Sequence, residues 1–209
     1  MTRNTQQVQI VWGHKTSHLD KKLNDIVPWI HQAGRPYYDI FLRGNDVHSV
    51  IAQWLKRRSS ELSLRRTRLL VADDRIAGGY ISLAGGDLAG CRQADLLDLA
   101  RTMGEHSYRE LRDRMDDLSD LFAPVEDHDF YLSKLGVLPR MEGRGLSQYL
   151  MDDCLRRARQ GGFGRVRTEV PEHDEETREF YETYGFKPIY RGKTSMSNLR
   201  YLSMVCPVQ

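Results

Sequence analysis

Apolar residues in the first third of the chain follow the periods of strands and helices in turn. Residues 8–12 read Val-Gln-Ile-Val-Trp, which is typical of a short strand. Two apolar runs, at 68–72 and 76–83, flank a polar segment at 73–75 and predict a β-hairpin. Between these elements, Asp46 follows Asn45 and can cap a helix. The apolar residues of that helix recur at offsets of 0, 3, 4, 7 and 8, and they are Val47, Val50, Ile51, Trp54 and Leu55.

Residues 85–124 change to a helical pattern. One apolar stripe falls at offsets of 0, 4, 7 and 11, with a shorter stripe before it. The two stripes consist of Leu111, Met115, Leu118 and Phe122, and of Leu96, Leu97, Ala100 and Met103. The segment is long for a connection between two strands, so we expect a helical insertion at 85–125 between the third and fourth strands. We interpret it as a substrate lid, whose acidic end would suit a cationic amine.

Strands and helices alternate in the second half of the chain. Four further strands are predicted, at residues 130–137, 165–170, 186–190 and 200–205. Two helices lie between them, one with apolar residues Leu146, Leu150, Met151, Cys154, Leu155 and Ala158, and a shorter one with Thr177, Phe180, Tyr181 and Tyr184. Gly161 and Gly185 end these helices. A hairpin followed by this alternation predicts a mixed α/β sheet flanked by helices, in a single domain of residues 1–209.

Composition and charge exclude few function classes. Hydrophobic residues make up 40% of the 209 residues and charged residues 29%, and the formal net charge of +2 gives no argument for binding DNA. Three scattered cysteines without a C-x-x-C pair indicate no disulfide framework. Residues 1–13 are polar and lack the apolar core of a signal peptide, and no apolar stretch approaches the roughly 20 residues that cross a bilayer. We therefore expect a cytoplasmic protein without a membrane segment.

Two local runs of charge depart from this even balance. Cations dominate residues 56–68, namely Lys56, Arg57, Arg58, Arg65, Arg66 and Arg68. Acids dominate residues 113–129, namely Asp113, Asp116, Asp117, Asp120, Glu126, Asp127 and Asp129. Runs of this kind either form solvated faces or steer a charged partner toward a site.

The segment at 137–147, between a predicted strand and the long helix, carries the candidate chemistry. Gly143 and Gly145 permit a tight turn and leave successive backbone N–H groups unobstructed. These amides, with the positive end of the following helix, can form a cradle for phosphate oxygens. A Gly-x-Gly after a strand is also compatible with a tight turn that binds nothing.

The spacing Arg140-x-x-Gly143-x-Gly145, preceded by Val137 and Pro139, resembles the R/Q-x-x-G-x-G/A signature of the GNAT superfamily of acyltransferases. A second motif of that superfamily follows after the next predicted strand.

This second motif is Asp174-x-x-Thr177-x-x-x-Tyr181-x-x-x-Gly185-Phe186, which resembles the family's N-x-x-A-x-x-x-Y-x-x-x-G-F helix. The two motifs stand in the expected order with the expected elements between them. The resemblance covers about residues 130–205.

The resemblance implies a GNAT-like sheet that splays open between the predicted strands at 130–137 and 165–170. It implies that acetyl-CoA or another acyl-CoA binds in the opening, with its pantetheine arm along the first of these strands and its pyrophosphate on the amides of the glycine turn. The residues so implied in donor binding are Leu135, Val137, Arg140, Gly143, Arg144, Gly145, Leu146, Ser147 and Asp174.

The family chemistry is direct transfer, in which a neutral amine attacks the thioester and an acid protonates the departing thiolate. Tyr181 matches the family's general acid, although its place on an apolar helix face also fits a core aromatic residue. Asp129, at the start of its strand, matches a position where some members carry a catalytic glutamate, but it also fits a solvated acid. Glu169 and His173 are alternative bases, and a water chain can replace a base altogether.

No metal takes part in this chemistry. His14 and His18 lie four residues apart, but the segment between them has the composition of a loop, so we expect no metal site.

Two positions depart from the family pattern. Glu142 stands where relatives usually carry Arg or Gln, and a carboxylate beside a pyrophosphate is unfavourable unless it points away or pairs with Arg140 or Arg144. Asp174 replaces an asparagine and removes an amide donor. Both changes bear on whether the donor is free CoA.

Three functions fit these observations. The first is an acyl-CoA-dependent N-acyltransferase that acts on the amine of a small molecule. In the second, a carrier protein presents the acyl group on phosphopantetheine and docks on the basic run at 56–68, a surface that an aminoacyl-tRNA donor would fit less specifically. The third is a GNAT domain that binds CoA without catalysis. The sequence does not specify the oligomeric state.

Overall fold

The computed structural model describes residues 8–15, 19–102 and 105–208. The strands are β1 (Val8–Trp12), β2 (Thr67–Ala72), β3 (Arg75–Ala84), β4 (Asp129–Val137), β5 (Arg165–Pro171), β6 (Lys187–Lys193) and β7 (Arg200–Pro207). The α-helices are α1 (Leu19–Ala33), α2 (Tyr37–Phe41), α3 (Val47–Lys56), α4 (Gly85–Arg101), α5 (Glu105–Leu118), α6 (Leu146–Gln160) and α7 (Glu175–Thr183). His18 and Met103 lie outside the described residues.

The strands form one sheet in the order β1-β2-β3-β4-β5-β7-β6. Neighbouring strands are antiparallel except β4 and β5, which run parallel and pair only at Asp129–Tyr131 with Arg165–Arg167. Beyond this point the two strands diverge. The predicted opening of the sheet between them is confirmed.

A β-bulge in β4 bends this strand away from its neighbour β5. Ser82 and Ile81 of β3 pair with Leu132 and Lys134, so Ser133 is the extra residue on β4. Bulges bend and twist the strand that carries them, which turns the second half of β4 away from β5. The Thr168 hydroxyl of β5 donates to the Leu132 carbonyl at 3.0 Å, beside this divergence.

Helices cover both faces of the sheet. On one face α6 and α7 bury a core that includes Leu150, Met151 and Tyr181 against the central strands. On the other face α1 and α3 bury a second core around Trp29 and Ile51. Helices on both faces of a mixed sheet confirm the predicted fold class.

Local signals in the sequence account for several elements. Asp46 caps α3 by accepting hydrogen bonds from the amides of His48 and Ser49. Asp73 and Asp74 adopt left-handed φ values of 50° and 61° in the turn of the β2–β3 hairpin, a conformation that Asp tolerates better than most residues. The hairpin and the cap are as predicted.

No helix was predicted in the first 45 residues, where the structure has α1 and α2. The apolar residues of α1 nevertheless recur at offsets of 0, 3, 4 and 7, and they are Leu23, Ile26, Val27 and Ile30. That spacing is the signal that would have found the helix. Trp29 of α1 packs so tightly on β3 that a Cβ at Gly79 would lie 2.9 Å from its ring.

The insertion between β3 and β4 is helical, as predicted, and consists of α4 and α5. The apolar stripe ends earlier than expected, because α5 stops at Leu118 and Phe122 lies beyond it. The Phe122 ring contacts Tyr37 with 5.5 Å between ring centroids. Among the described residues, no helix is long and apolar enough to span a membrane.

Candidate active site

A cleft of about 490 Å³ lies where β4 and β5 separate. Most of the residues expected to bind the donor line it, namely Leu135, Val137, Gly143, Gly145, Leu146, Ser147 and Asp174, together with Tyr181. These residues come from β4, the turn before α6, and α7. The divergence of the strands is what brings them together.

The turn at the base of the cleft presents free backbone amides. Gly143 and Gly145 have φ values of 72° and 71°, which L-residues with a Cβ rarely adopt. Within the described chain, the amides of residues 143–147 have no hydrogen-bond acceptor, and α6 begins at Leu146. A cluster of free N–H groups at a helix N-terminus fits phosphate oxygens.

The charged residues beside this turn differ in whether they line the cleft and in whether they form an ion pair. Arg140 forms an ion pair with Asp25 of α1 at 2.7 Å, and neither Arg140 nor Arg144 lines the cleft. Glu142 is exposed and lines the cleft, and no ion pair to it is found among the described residues. Arg140 therefore does not neutralise Glu142. Asp174 lines the cleft as the cap of α7, where its Oδ1 accepts the Thr177 amide at 3.0 Å.

Tyr181 lies in the wall of the cleft and is buried. Its ring packs edge-on against Phe186, with 5.0 Å between centroids. Burial raises the pKa of its hydroxyl, and a hydrogen bond with the Thr168 side chain opposes that shift. The hydroxyl is therefore protonated at neutral pH, as a proton donor must be.

Asp129 lies apart from Tyr181, at the closed end of the split sheet. Its carboxylate is buried, pairs with Arg165 and accepts the Glu126 amide at 2.9 Å. It lines neither the cleft nor the cavity described below. Six residues separate it from Leu135 along β4, which is about 20 Å in an extended strand. The other sequence-derived base, His173, is exposed and also lies outside the cleft lining.

Of the three bases predicted from the sequence, Glu169 of β5 is the one that lines the cleft. Its Oε1 accepts a hydrogen bond from Arg167 at 3.0 Å, and its Oε2 accepts one from the Ser203 hydroxyl at 2.6 Å. Burial raises the pKa of Glu169, with the nearby Arg167 acting in the opposite direction. A carboxyl group with a raised pKa is a stronger base than an ordinary glutamate.

Comparison with the sequence profiles of known families identifies the family of this chain. The profile of the acetyltransferase (GNAT) family matches residues 52–186, more than half of the chain. The chain belongs to the GNAT acetyltransferase family.

Solved structures show the same fold over nearly the whole chain. An acetyltransferase of 16% identity aligns over 96% of this chain and 100% of its own, with a TM-score of 0.63. An N-acetyltransferase from Staphylococcus aureus Mu50 (13% identity, 89% and 96% coverage, TM-score 0.66) and the ribosomal-protein-S18-alanine N-acetyltransferase from Escherichia coli (12%, 97% and 95%, 0.55) are also similar. These likenesses show the fold alone. No curated protein sequence matches the chain significantly.

This GNAT domain has a second cavity, of about 690 Å³, that the sequence did not reveal. It is enclosed by the insertion helices α4 and α5, by helix α2 and by the sheet. It shares Ala33, Ser133, Lys134 and Glu169 with the first cleft, so the two spaces meet at the bulge of β4. The aromatic run Tyr37-Tyr38 followed by Phe41, after Pro36, was the available signal for its wall.

A buried polar network lies beside the junction of the two cavities. Glu61 accepts a hydrogen bond from the Ser133 hydroxyl and another from Arg92 Nε at 3.0 Å. Lys134 donates to the Ser133 carbonyl at 2.9 Å. Burial lowers the pKa of Lys134, and the carboxylate of Glu61 opposes that shift.

The basic run at 56–68 is largely engaged within the domain. Arg57 pairs with Asp98, Arg68 lies 3.3 Å from Asp153, and Arg66 lies 3.9 Å from Asp87. These pairs reduce the positive charge available to a docking partner.

The acidic run likewise has structural partners. Asp117 Oδ1 accepts the amides of Ser195 and Met196 at 2.9 and 2.8 Å, and Asp129 is held by Arg165. Asp127 is the residue of this run that lines the second cavity. The run therefore gives little support to a cationic acceptor. In the described part of the chain, no group of three or more His, Cys, Asp or Glu could hold a metal.

Proposed function

We propose that the protein is an N-acyltransferase that moves an acyl group from acetyl-CoA or another acyl-CoA to the amine of a small molecule. The observation that supports this proposal is the meeting of two cavities at Ser133, Lys134 and Glu169. One cavity offers free amides for phosphates, and the other is of a size common for small-molecule sites. The thioester carbonyl and the amine would meet at their junction.

In this proposal the donor lies along β4. After Tyr131 the edge of β4 that faced β5 is no longer paired in the sheet, so its backbone groups near Leu135 and Val137 are available to the pantetheine amides. The amides of residues 143–147 would hold the pyrophosphate. The acyl-CoA supplies the activated carbonyl and the thiolate leaving group.

We assign the proton transfers to Glu169 and Tyr181, two of the titratable groups that line the cleft. Glu169 accepts the proton of the acceptor's ammonium group, whose freed nitrogen attacks the thioester carbonyl. The C–N bond forms, the C–S bond breaks, and Tyr181 donates its proton to the departing thiolate. The nitrogen loses its second proton as the amide forms, and that proton restores the Tyr181 hydroxyl. In this scheme the oxyanion would be stabilised by backbone N–H groups of β4 at the bulge. Asp129 has no part in this scheme, because Arg165 holds it outside the cleft.

A carrier protein remains the second candidate donor because of Glu142. Its unpaired carboxylate beside the amide turn opposes the pyrophosphate of free CoA, whereas carrier-bound phosphopantetheine has a single phosphate. Against this, Arg57, Arg66 and Arg68 of the expected docking surface are engaged in ion pairs. We therefore favour free acyl-CoA over a carrier or an aminoacyl-tRNA.

The test is release of free CoA from acetyl-CoA in the presence of a panel of small amines, followed with a thiol reagent. Glu169→Gln should lower kcat by about 100-fold or more, which is the usual contribution of a general base. Glu172→Gln, three residues further along and paired with Arg191 outside both cavities, is the matched control. Absence of acetyl-CoA binding and of amine-dependent thiol release by the wild type would contradict the proposal and favour the carrier or non-catalytic alternatives.

A further inference from the structure

The acceptor cavity combines an apolar wall with one exposed cation. Its wall includes Tyr37, Phe41 and Phe122, and the centroid of the Tyr37 ring lies 5.5 Å from that of each of the other two rings. Leu118 and Met115 of the insertion extend this surface. Such a wall suits an apolar or aromatic body in the ligand.

Arg92 of α4 is the exposed cation in the lining of this space. Its Nε donates to Glu61 at 3.0 Å and its Nη2 donates to the Tyr131 hydroxyl at 3.0 Å, which fixes the guanidinium plane. Its Cζ lies 5.4 Å from the centroid of the Tyr131 ring and 6.0 Å from that of Phe122. Neither hydrogen bond uses Nη1, so both of its N–H groups are available to a ligand.

The charged side chains that line the cavity differ in their exposure to solvent. Arg92 keeps 41% of its side-chain surface exposed although protein surrounds it, as expected for a group on the wall of a cavity. The carboxylates of Glu61 and Glu169 keep 10% and 7%, because their oxygens already accept hydrogen bonds from the protein. A ligand therefore meets Arg92 before it meets Glu61 or Glu169, while the exposed carboxylate of Asp127 lies elsewhere in the lining.

We propose that the acceptor is an α-amino acid with an apolar or aromatic side chain, and that Arg92 binds its carboxylate. This inference rests on the proposed function. The free end of the Arg92 guanidinium matches the two oxygens of a carboxylate, while the rings receive the side chain. The amine then lies at the junction of the cavities, beside Glu169.

Arg92 and Glu169 line the same cavity, one with a cation and the other with a carboxyl group. Arg92 also acts through space to lower the pKa of Glu169. In an α-amino acid the ammonium and carboxylate groups are separated by one carbon, which is compatible with two nearby protein charges. The cation of Lys134, at the same junction, adds to the attraction for a carboxylate.

The experiment compares acceptors that differ only in the carboxylate. With acetyl-CoA as donor, kcat/KM is measured for phenylalanine against 2-phenylethylamine and for leucine against 3-methylbutylamine. We expect each amino acid to be preferred by about 10- to 100-fold, as for a charge-assisted hydrogen-bonded pair. Arg92→Gln should remove most of that preference, and Arg92→Lys should keep part of it because the charge remains without the planar fork.

Arg101→Gln, on the exposed end of the same helix and outside both cavities, should retain the wild-type preference. Thermal unfolding and acetyl-CoA affinity show whether each Arg92 variant is folded with an intact donor cleft. Calorimetry with N-acetylphenylalanine gives a second readout, and Arg92→Gln should weaken its binding by about tenfold or more.

Equal or better turnover of the amines without a carboxylate overturns this inference while leaving the proposed function standing. The same holds if a folded Arg92→Gln variant keeps the wild-type preference. Lack of transfer to any acceptor contradicts the proposed function itself, and this inference falls with it.

Discussion

Asp129 and Arg165 form an ion pair at the first paired position of the parallel strands β4 and β5. The Asp129 side chain is inaccessible to solvent, and its Oδ2 also accepts the Glu126 amide. Two residues further along, the strands part and the cleft begins. The ion pair therefore holds β4 and β5 together at the end of the sheet opening where the two strands are still paired.

Asp129→Asn tests whether this residue has a structural or a catalytic role. The amide can still accept the Glu126 N–H but leaves Arg165 without its counter-charge, so we expect the free energy of unfolding to fall by about 1–3 kcal/mol. Because Asp129 lines neither cavity, kcat of the folded variant should stay within about twofold of the wild type. A kcat lower by about 100-fold at unchanged stability would instead assign Asp129 the role of base.

The glycine turn is tested by two substitutions with the same backbone strain. Gly145 and Gly162 have φ values of 71° and 73°, at the start and just beyond the end of α6, and space for a Cβ exists at both. Alanine should cost about 1–2 kcal/mol of stability at either position. Only Gly145→Ala should weaken acetyl-CoA binding, by about tenfold or more, because its methyl group obstructs the phosphates. Equal affinities of both variants in calorimetry would place the pyrophosphate elsewhere.

Tyr181→Phe removes the proposed acid and keeps the ring. Turnover should fall by about 100-fold, and stability by about 1 kcal/mol or less because one hydrogen bond is lost. Tyr184→Phe, at the end of the same helix and outside both cavities, should change neither. Steady-state kinetics and thermal unfolding of both variants measure these effects. Wild-type turnover in Tyr181→Phe would show that Tyr181 packs in the core and is not the general acid.

Asp95 should make stability depend on pH. Burial raises its pKa from 3.8 to about 7, and its Oδ1 has no hydrogen-bond partner among the described residues, although its Oδ2 accepts the Glu61 amide. The folded state thus binds the proton more tightly than the unfolded state, so stability present below pH 4 is lost as the pH rises toward 7. Relative to the wild type, Asp95→Asn should gain about 2–4 kcal/mol between pH 4 and pH 8, at about 1.4 kcal/mol per pKa unit. Urea unfolding at several pH values measures this, and parallel curves would contradict it.

Glu142→Gln tests the donor. If free acyl-CoA binds in the cleft, removing the carboxylate should tighten acetyl-CoA binding by about two- to fivefold at low ionic strength, with a smaller effect at high salt. Glu179→Gln, exposed on α7 and outside the cleft, should have no such effect. Turnover with an acyl-carrier protein but not with acetyl-CoA, and an affinity for CoA that Glu142→Gln leaves unchanged, would establish the carrier as donor.

Patterns that act within a few residues were predictable from the sequence. The two aspartates of the β2–β3 turn, the cap of α3 and the glycine turn before α6 depend on the backbone preferences of neighbouring residues. The motif from Asp174 to Phe186 also lies within one helix and its ends. The sequence therefore placed most of the residues that line the cleft, Tyr181 included, on the elements where the structure has them, because a strand, a turn and the following helix are contiguous.

Which carboxylate faces the cavity was decided by the tertiary structure. Asp129 and Glu169 both lie on strands beside the opening, but Arg165 holds the former at the closed end while the latter lines both cavities. The second cavity depends on groups far apart in the chain, such as Glu61 with Ser133, 72 residues away, and with Arg92, 31 residues away. No local periodicity encodes such contacts. They form only when the bulge in β4, the missing pairing with β5 and the packing of the insertion place distant side chains around one space.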